Sequence, residues 1–229
     1  MNTPPSSGTP EAACNPPGGS DETIVVLGIG NVLWADEGFG VRCVEALDAR
    51  YSFAPQVRLV DGGTQGLYLI QHVQEATRLL ILDAVDYGLA PGTLHLVENE
   101  EVPRFLGAKK MSLHQTGFQE VLMLAQLTER YPAEVLLVGC QPEHLEDYGG
   151  SLRPVVKQAL EEAVHLAVER LRAWGADPRP RLAPPAGHEA VSVPTLAMAA
   201  YESGRPAASE ACRIGDERFI VQTAASQGL

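Results

Sequence analysis

Five short apolar runs, separated by stretches with helical spacing, predict an α/β fold. The expected architecture is a three-layer α/β/α sandwich around a five-stranded, mainly parallel twisted sheet. Two observations carry this. The first run, Thr23 to Leu27, is continuous rather than alternating, as in a strand buried on both faces. Helical segments fall between the runs, as the crossovers of a parallel sheet require. In such open sheets, sites form outside the carboxyl ends of the strands.

The elements follow in chain order. Thr23 to Leu27 is a β-branched apolar run that ends in Gly28-Ile29-Gly30-Asn31. A helix is expected next, with Asp36 as its cap and Phe39, Cys43 and Leu47 on one face. Val57 to Val60 reads as a second strand, closed by Asp61-Gly62-Gly63-Thr64. Gly66 to Val73 is a short helical piece, and Leu79 to Leu82 is a third strand ending at Asp83. Thr93 to Val97 is a fourth strand. Thr116 and Gln119 have capping-box spacing before a helical run through Leu122 and Ala125. Val135 to Val138 is the fifth strand, stopping at Gly139-Cys140. The last helix places Val156, Leu160, Val164, Ala167 and Leu171 on one face.

The chain has 229 residues, of which 45% are hydrophobic, enough for one ordinary domain with appendages. Residues 1–22 are rich in Pro, Gly, Ser and Thr and read as a disordered leader. Residues 23–174 read as the globular domain. Residues 175–229 read as an extended tail, partly disordered or docking. Lys plus Arg total 17 against 29 Asp plus Glu, a net charge of −12. That balance disfavours nucleic acid and anionic membranes as partners. None of Cys14, Cys43, Cys140 and Cys212 lies in a C-x-x-C pair. No apolar run reaches the length of about 18 residues that a membrane span needs, and residues 1–22 lack the pattern of a secretory signal. A reduced, cytoplasmic protein without membrane insertion is expected.

Gly28-x-Gly30 suggests a dinucleotide turn, but Leu33 stands where the third glycine belongs, and Asp61 is further off than the ribose-binding acid should be. A tight turn explains the glycines equally. Glu37, Asp83 and His114 are more informative. In a parallel sheet, Glu37 and Asp83 share one edge, and His114 lies in a connection long enough to reach them. Two carboxylates and an imidazole suit a divalent transition metal such as nickel or zinc, with an open position for water or substrate. The competing explanation is that acids near helix N-termini are caps or dipole partners. His72, His95, His144, His165 and His188 read as surface or locally bonded, Cys43 as core, and Cys140 as a thiol without a histidine partner. Asp61 reads as a second acid behind the site or as a turn residue.

Taken together, Gly28-Ile29-Gly30-Asn31-Val32-Leu33-Trp34-Ala35-Asp36-Glu37-Gly38-Phe39-Gly40-Val41 resembles the N-terminal signature of the nickel–iron hydrogenase maturation endopeptidases. Asp61-Gly62-Gly63-Thr64, Leu82-Asp83-Ala84, Pro91-Gly92-Thr93 and Met111-Ser112-Leu113-His114-Gln115 resemble further blocks of that family, in the same order and spacing. The resemblance covers residues 23–174, and the wording of the chain is nearest to proteases serving membrane-bound, uptake-type hydrogenases. It implies an endopeptidase that removes the C-terminal peptide of a hydrogenase large-subunit precursor after nickel insertion. The family's metal-contacting positions fall on Glu37, Asp83 and His114. The nickel is implied to arrive with the precursor rather than to be permanently bound.

On this view the three residues contact the precursor's nickel, and a water attacks the scissile carbonyl with a carboxylate or the metal assisting. The identity of the base stays open. Two alternatives remain: a nonproteolytic nickel or precursor chaperone, which would retain the same metal-contacting residues, and a metallo-aminopeptidase, which would hold its own metal and cleave generic small peptides. In the tail, Val191 to Tyr201 and Ile214 to Val221 stand out as pieces able to dock on the body or on the large subunit.

Overall fold

A computed structural model describes residues 22–107, 113–185 and 189–205, with the backbone alone at 105, 107 and 113–116. Residues 1–21 of the leader and Ile214 to Val221 lie outside the described residues, as do Cys14, Cys212 and His188. The strands are β1 (Ile24–Ile29), β2 (Tyr51–Ser52), β3 (Val57–Gly63), β4 (Arg78–Ala84), β5 (Leu94–Glu98), β6 (Glu134–Cys140) and β7 (Arg179–Pro180). The helices are α1 (Phe39–Arg50), α2 (Ile70–Glu75), α3 (Glu101–Gly107), α4 (Leu113–Leu127), α5 (Pro154–Ala173) and α6 (Met198–Ser203). Two 3-10 turns, Ala35–Gly38 and Gly66–Leu69, lead into α1 and α2.

The main sheet has five strands in the order β3-β1-β4-β6-β5. β1 pairs in parallel with β3 and β4, and β4 in parallel with β6. β5 alone runs antiparallel, against β6. No helix lies between β4 and β5, and a parallel return needs such a crossover. Strict alternation along each central strand builds two cores. Ile24, Val26, Leu80, Leu82, Leu136 and Val138 face one layer, with α1 and α5. Val25, Leu27, Leu79, Ile81, Val135 and Leu137 face the other, with α2, α3 and α4. The continuous apolar runs therefore reflect two buried faces, as expected of a three-layer sandwich.

Three local expectations need correction. Asp36 does not cap α1: it lies in the preceding 3-10 turn, and Gly38 occupies the N-cap without a side-chain bond. α4 begins at Leu113, so Thr116 sits inside the helix and His114 in its first turn rather than in a connection before it. The acid-glycine segment Asp61–Gly63 belongs to β3, where the register against β1 slips between Gly28 and Ile29 as in a bulge.

Residues 189–205 cross α1 and α5. Val191 and Met198 pack on the α1–α5 core. The Val191 amide donates to Asp48 (2.8 Å), Lys157 pairs with Glu202, and the Arg42 guanidinium lies 5.5 Å from the Tyr201 ring. Upstream, β7 pairs with β2 beside α1. Among the described residues, no helix is long and apolar enough to cross a membrane.

Candidate functional site

β1 sits between β3 and β4, so the chain leaves β1 to one side and later returns to the other. This reversal makes a switch point at the carboxyl ends of β1 and β4, where the rule for such sheets puts the ligand crevice. The 3-10 turn after β1 carries Glu37, and Asp83 is the penultimate residue of β4. The sheet thus brings both predicted carboxylates to one edge.

Glycines set how closely these parts approach. A Cβ on Gly30, whose φ is +131°, would lie 1.8 Å from the Glu37 carbonyl oxygen. One on Gly40 would lie 2.0 Å from the Leu82 carbonyl oxygen, and one on Gly28 would lie 2.4 Å from the Gly40 carbonyl oxygen. Gly28 and Gly30 therefore seat the Glu37 turn and the start of α1 on the β1 backbone, and Gly40 seats α1 on β4. The tight-turn explanation of these glycines accounts for them without a nucleotide.

Asp83 is 2% exposed. Glu37 is half-buried, and that burial raises its carboxyl from its ordinary value. A cation brought into the crevice would offset the penalty. Beside Asp83, Tyr87 lies over Gly139, the residue paired with Asp83 across β4 and β6. Burial, with Asp83 adding, pushes the Tyr87 phenol upward, so it stays a neutral hydroxyl. Among the described residues, no group of three or more His, Cys, Asp or Glu is arranged to hold a metal. The third predicted position, His114, is placed by its backbone in the first turn of α4, and its side chain lies outside the described residues.

Two residues that sequence reasoning misjudged or passed over hold the crevice together. Asp36, fully buried, accepts from the backbone amides of Glu143 (2.9 Å), His144 (2.8 Å) and Arg153 (2.7 Å). It ties the Glu37 turn to the β6–α5 loop. Gln141 accepts from the amides of Tyr87 (2.7 Å) and Leu89 (3.1 Å) and donates to Asp86 (3.0 Å), fixing the loop after Asp83. An acid beside another acid and a glutamine after a strand carried no periodic signal; the partners that tie these loops together are more than 50 residues away.

The other candidates take ordinary roles. Asp61 accepts from its own turn at the Gly63 amide (3.0 Å) and from the Ser192 hydroxyl (3.0 Å). His165 pairs with Glu169 one turn on (3.3 Å), and the His95 ring meets Tyr87. Cys43 and Cys140 are both fully buried. Burial raises both thiols, Cys140 to about 12, so neither is a thiolate nucleophile at neutral pH.

The HycI family, described as hydrogenase maturation protease, matches residues 41–170. The hydrogenase expression/formation protein HoxM of Cupriavidus necator is 69% identical over 199 residues, covering 87% of this chain and 98% of its own. The hydrogenase 2 maturation protease of Escherichia coli is 42% identical over 159 residues, covering 69% of this chain and 96% of its own. The solved hydrogenase maturating endopeptidase HybD from Escherichia coli superposes with a TM-score of 0.66 at 39% identity, over 69% of this chain and 98% of its own. Sheet, crevice and sequence agree, and the chain belongs to the hydrogenase maturation proteases, endopeptidases that process the hydrogenase large subunit.

Proposed function

We propose that this endopeptidase recognises its precursor through nickel, with Glu37, Asp83 and His114 as the contacting side chains. The precursor is that of a nickel–iron hydrogenase large subunit of the membrane-bound, uptake type. Nickel enters as part of the substrate, and the enzyme holds no resident metal. The observation that carries this reading is the convergence of Glu37 and Asp83 at the switch point between β1 and β4. Two carboxylates and an imidazole without a thiolate make a modest ligand set, suited to a metal presented by a partner.

The chemistry follows from that placement. Contact with the metal seats the precursor so that its C-terminal scissile bond lies over the crevice. Water attacks the carbonyl carbon, a carboxylate takes its proton, and the leaving amine is protonated as the C–N bond breaks. The buried thiols offer no covalent route, which favours direct attack by water. Burial raises the Glu37 carboxyl, a shift in the direction that suits a proton acceptor in this step.

Precursor with and without nickel, incubated with the protease and weighed by mass spectrometry, tests the reading. Loss of the C-terminal peptide is expected from the nickel-loaded form alone. Glu37→Gln, Asp83→Asn and His114→Ala should each fold and each abolish processing. Normal cleavage by a folded His114→Ala protein would remove the histidine from the site.

A further inference from the structure

The turn that carries Glu37 begins with an exposed aromatic pair that the hydrolysis itself does not use. Trp34 is 37% exposed and Tyr148 57%, with Leu33 beside them at 36%. The two rings meet edge to face, with centroids 5.3 Å apart and planes at 63°. We propose that Trp34 and Tyr148 form the platform on which the precursor's polypeptide lies next to Glu37, receiving an apolar side chain of the segment flanking the scissile bond. The inference rests on Glu37 being at the site.

Three observations carry it. The first is place. The Glu37 amide donates to the Trp34 carbonyl (2.9 Å), so a chain held on the indole lies beside the crevice. The second is exposure. Large rings left in water at the mouth of a crevice gain most when a partner covers them, and Trp and Tyr dominate binding hot spots. The third is rigidity. Trp34 and Tyr148 form an isolated antiparallel bridge, and the Gly149 amide donates to the Leu33 carbonyl (2.7 Å). On the Tyr148 side, Asp36 holds the His144 and Arg153 amides, and Asp147 accepts from the Arg153 guanidinium (2.9 Å). The C-terminal segment braces the same loop through Glu202 to Ser151 and Arg205 to Asp147. Rings on a braced backbone lose little further freedom when they bind, so their contact area converts efficiently into affinity. An endopeptidase must hold an extended chain on either side of the bond it cuts, and this pair supplies one such holding point.

The test is steady-state processing of nickel-loaded precursor by Trp34→Ala, Tyr148→Ala and Trp34→Phe, with thermal melts to confirm folding. Trp34→Ala is expected to raise KM about tenfold while kcat stays within about twofold. Trp34→Phe should recover most of the loss. Tyr148→Ala, whose ring is the more exposed, carries the same test if Trp34→Ala does not fold. A direct readout uses Glu37→Gln protein, in which Trp34→Ala should weaken precursor binding by the same factor. Unchanged KM in Trp34→Ala and Tyr148→Ala overturns the proposal. So does a fall in kcat at constant KM, which would make the pair a brace for the Glu37 turn. Cleavage by Glu37→Gln would instead count against the site assignment, and the KM comparison in the wild-type background would still decide the platform.

Discussion

Glu37 is held where ionising it is unfavourable, and the direction of that effect is measurable. Burial raises its carboxyl above 4.5, so the folded state keeps the proton to higher pH than the unfolded chain does. Its contribution to stability therefore falls as pH rises from the unfolded value through the folded one. Glu37→Gln removes that fall. Relative to wild type, the variant should gain stability in urea titrations as pH rises above 4.5, while losing processing. A stability difference that does not change with pH would show that the carboxyl is not strained by burial. The neighbouring Asp36 has a structural part instead. Asp36→Ala leaves three backbone amides without their acceptor in a buried place and should cost about 3 kcal/mol in chemical denaturation. The two acids were legible as a pair of polar residues at a strand end, but their division of labour was not. A cap and a buried staple look alike in sequence because the staple's partners come from a loop more than 100 residues along the chain.

At the scale of elements, close backbone approach is the controlling feature. Gly40→Ala places a methyl 2.0 Å from the Leu82 carbonyl oxygen, so α1 must lift from β4. A loss of about 3 kcal/mol is expected, with processing falling further than stability accounts for because the Glu37 turn shifts with the helix. Gly117→Ala makes the contrast. It lies inside α4, and its added methyl meets only ordinary contact at 3.6 Å. It should stabilise the protein by about 0.8 kcal/mol. Melting temperatures of the two variants moving in the same direction would contradict this account. Long, doubly buried strands and the periodic helices α1 and α5 were legible because burial writes directly into their apolar pattern. The short elements β2, β7, α3 and α6 carry no comparable signal. The antiparallel sense of β5 showed only in the absence of a helical segment between β4 and β5.

At the scale of the whole molecule, residues 189–205 link the last residues of β3, at Asp61, to the loop after β6, at Asp147. Deleting residues 186–229 removes the partly buried Val191 and Met198 and the Glu202 contacts. Stability should fall by about 2 kcal/mol, with the sheet still folded, and KM for the precursor should rise as the Tyr148 loop loses its brace. Unchanged stability and unchanged KM would leave the segment without a role in either. The sequence by itself determined the layered α/β class, the strand ends at which the two carboxylates stand, and the family. Each of these is written in local apolar periodicity or in contiguous motifs, which do not depend on what lies opposite. Only the tertiary structure decided that Asp36 staples rather than caps, that Gly28, Gly30 and Gly40 exist for close packing, and that Trp34 meets Tyr148 beside Glu37. Those are contacts between residues up to 117 positions apart, and no local pattern specifies which distant group a side chain will meet.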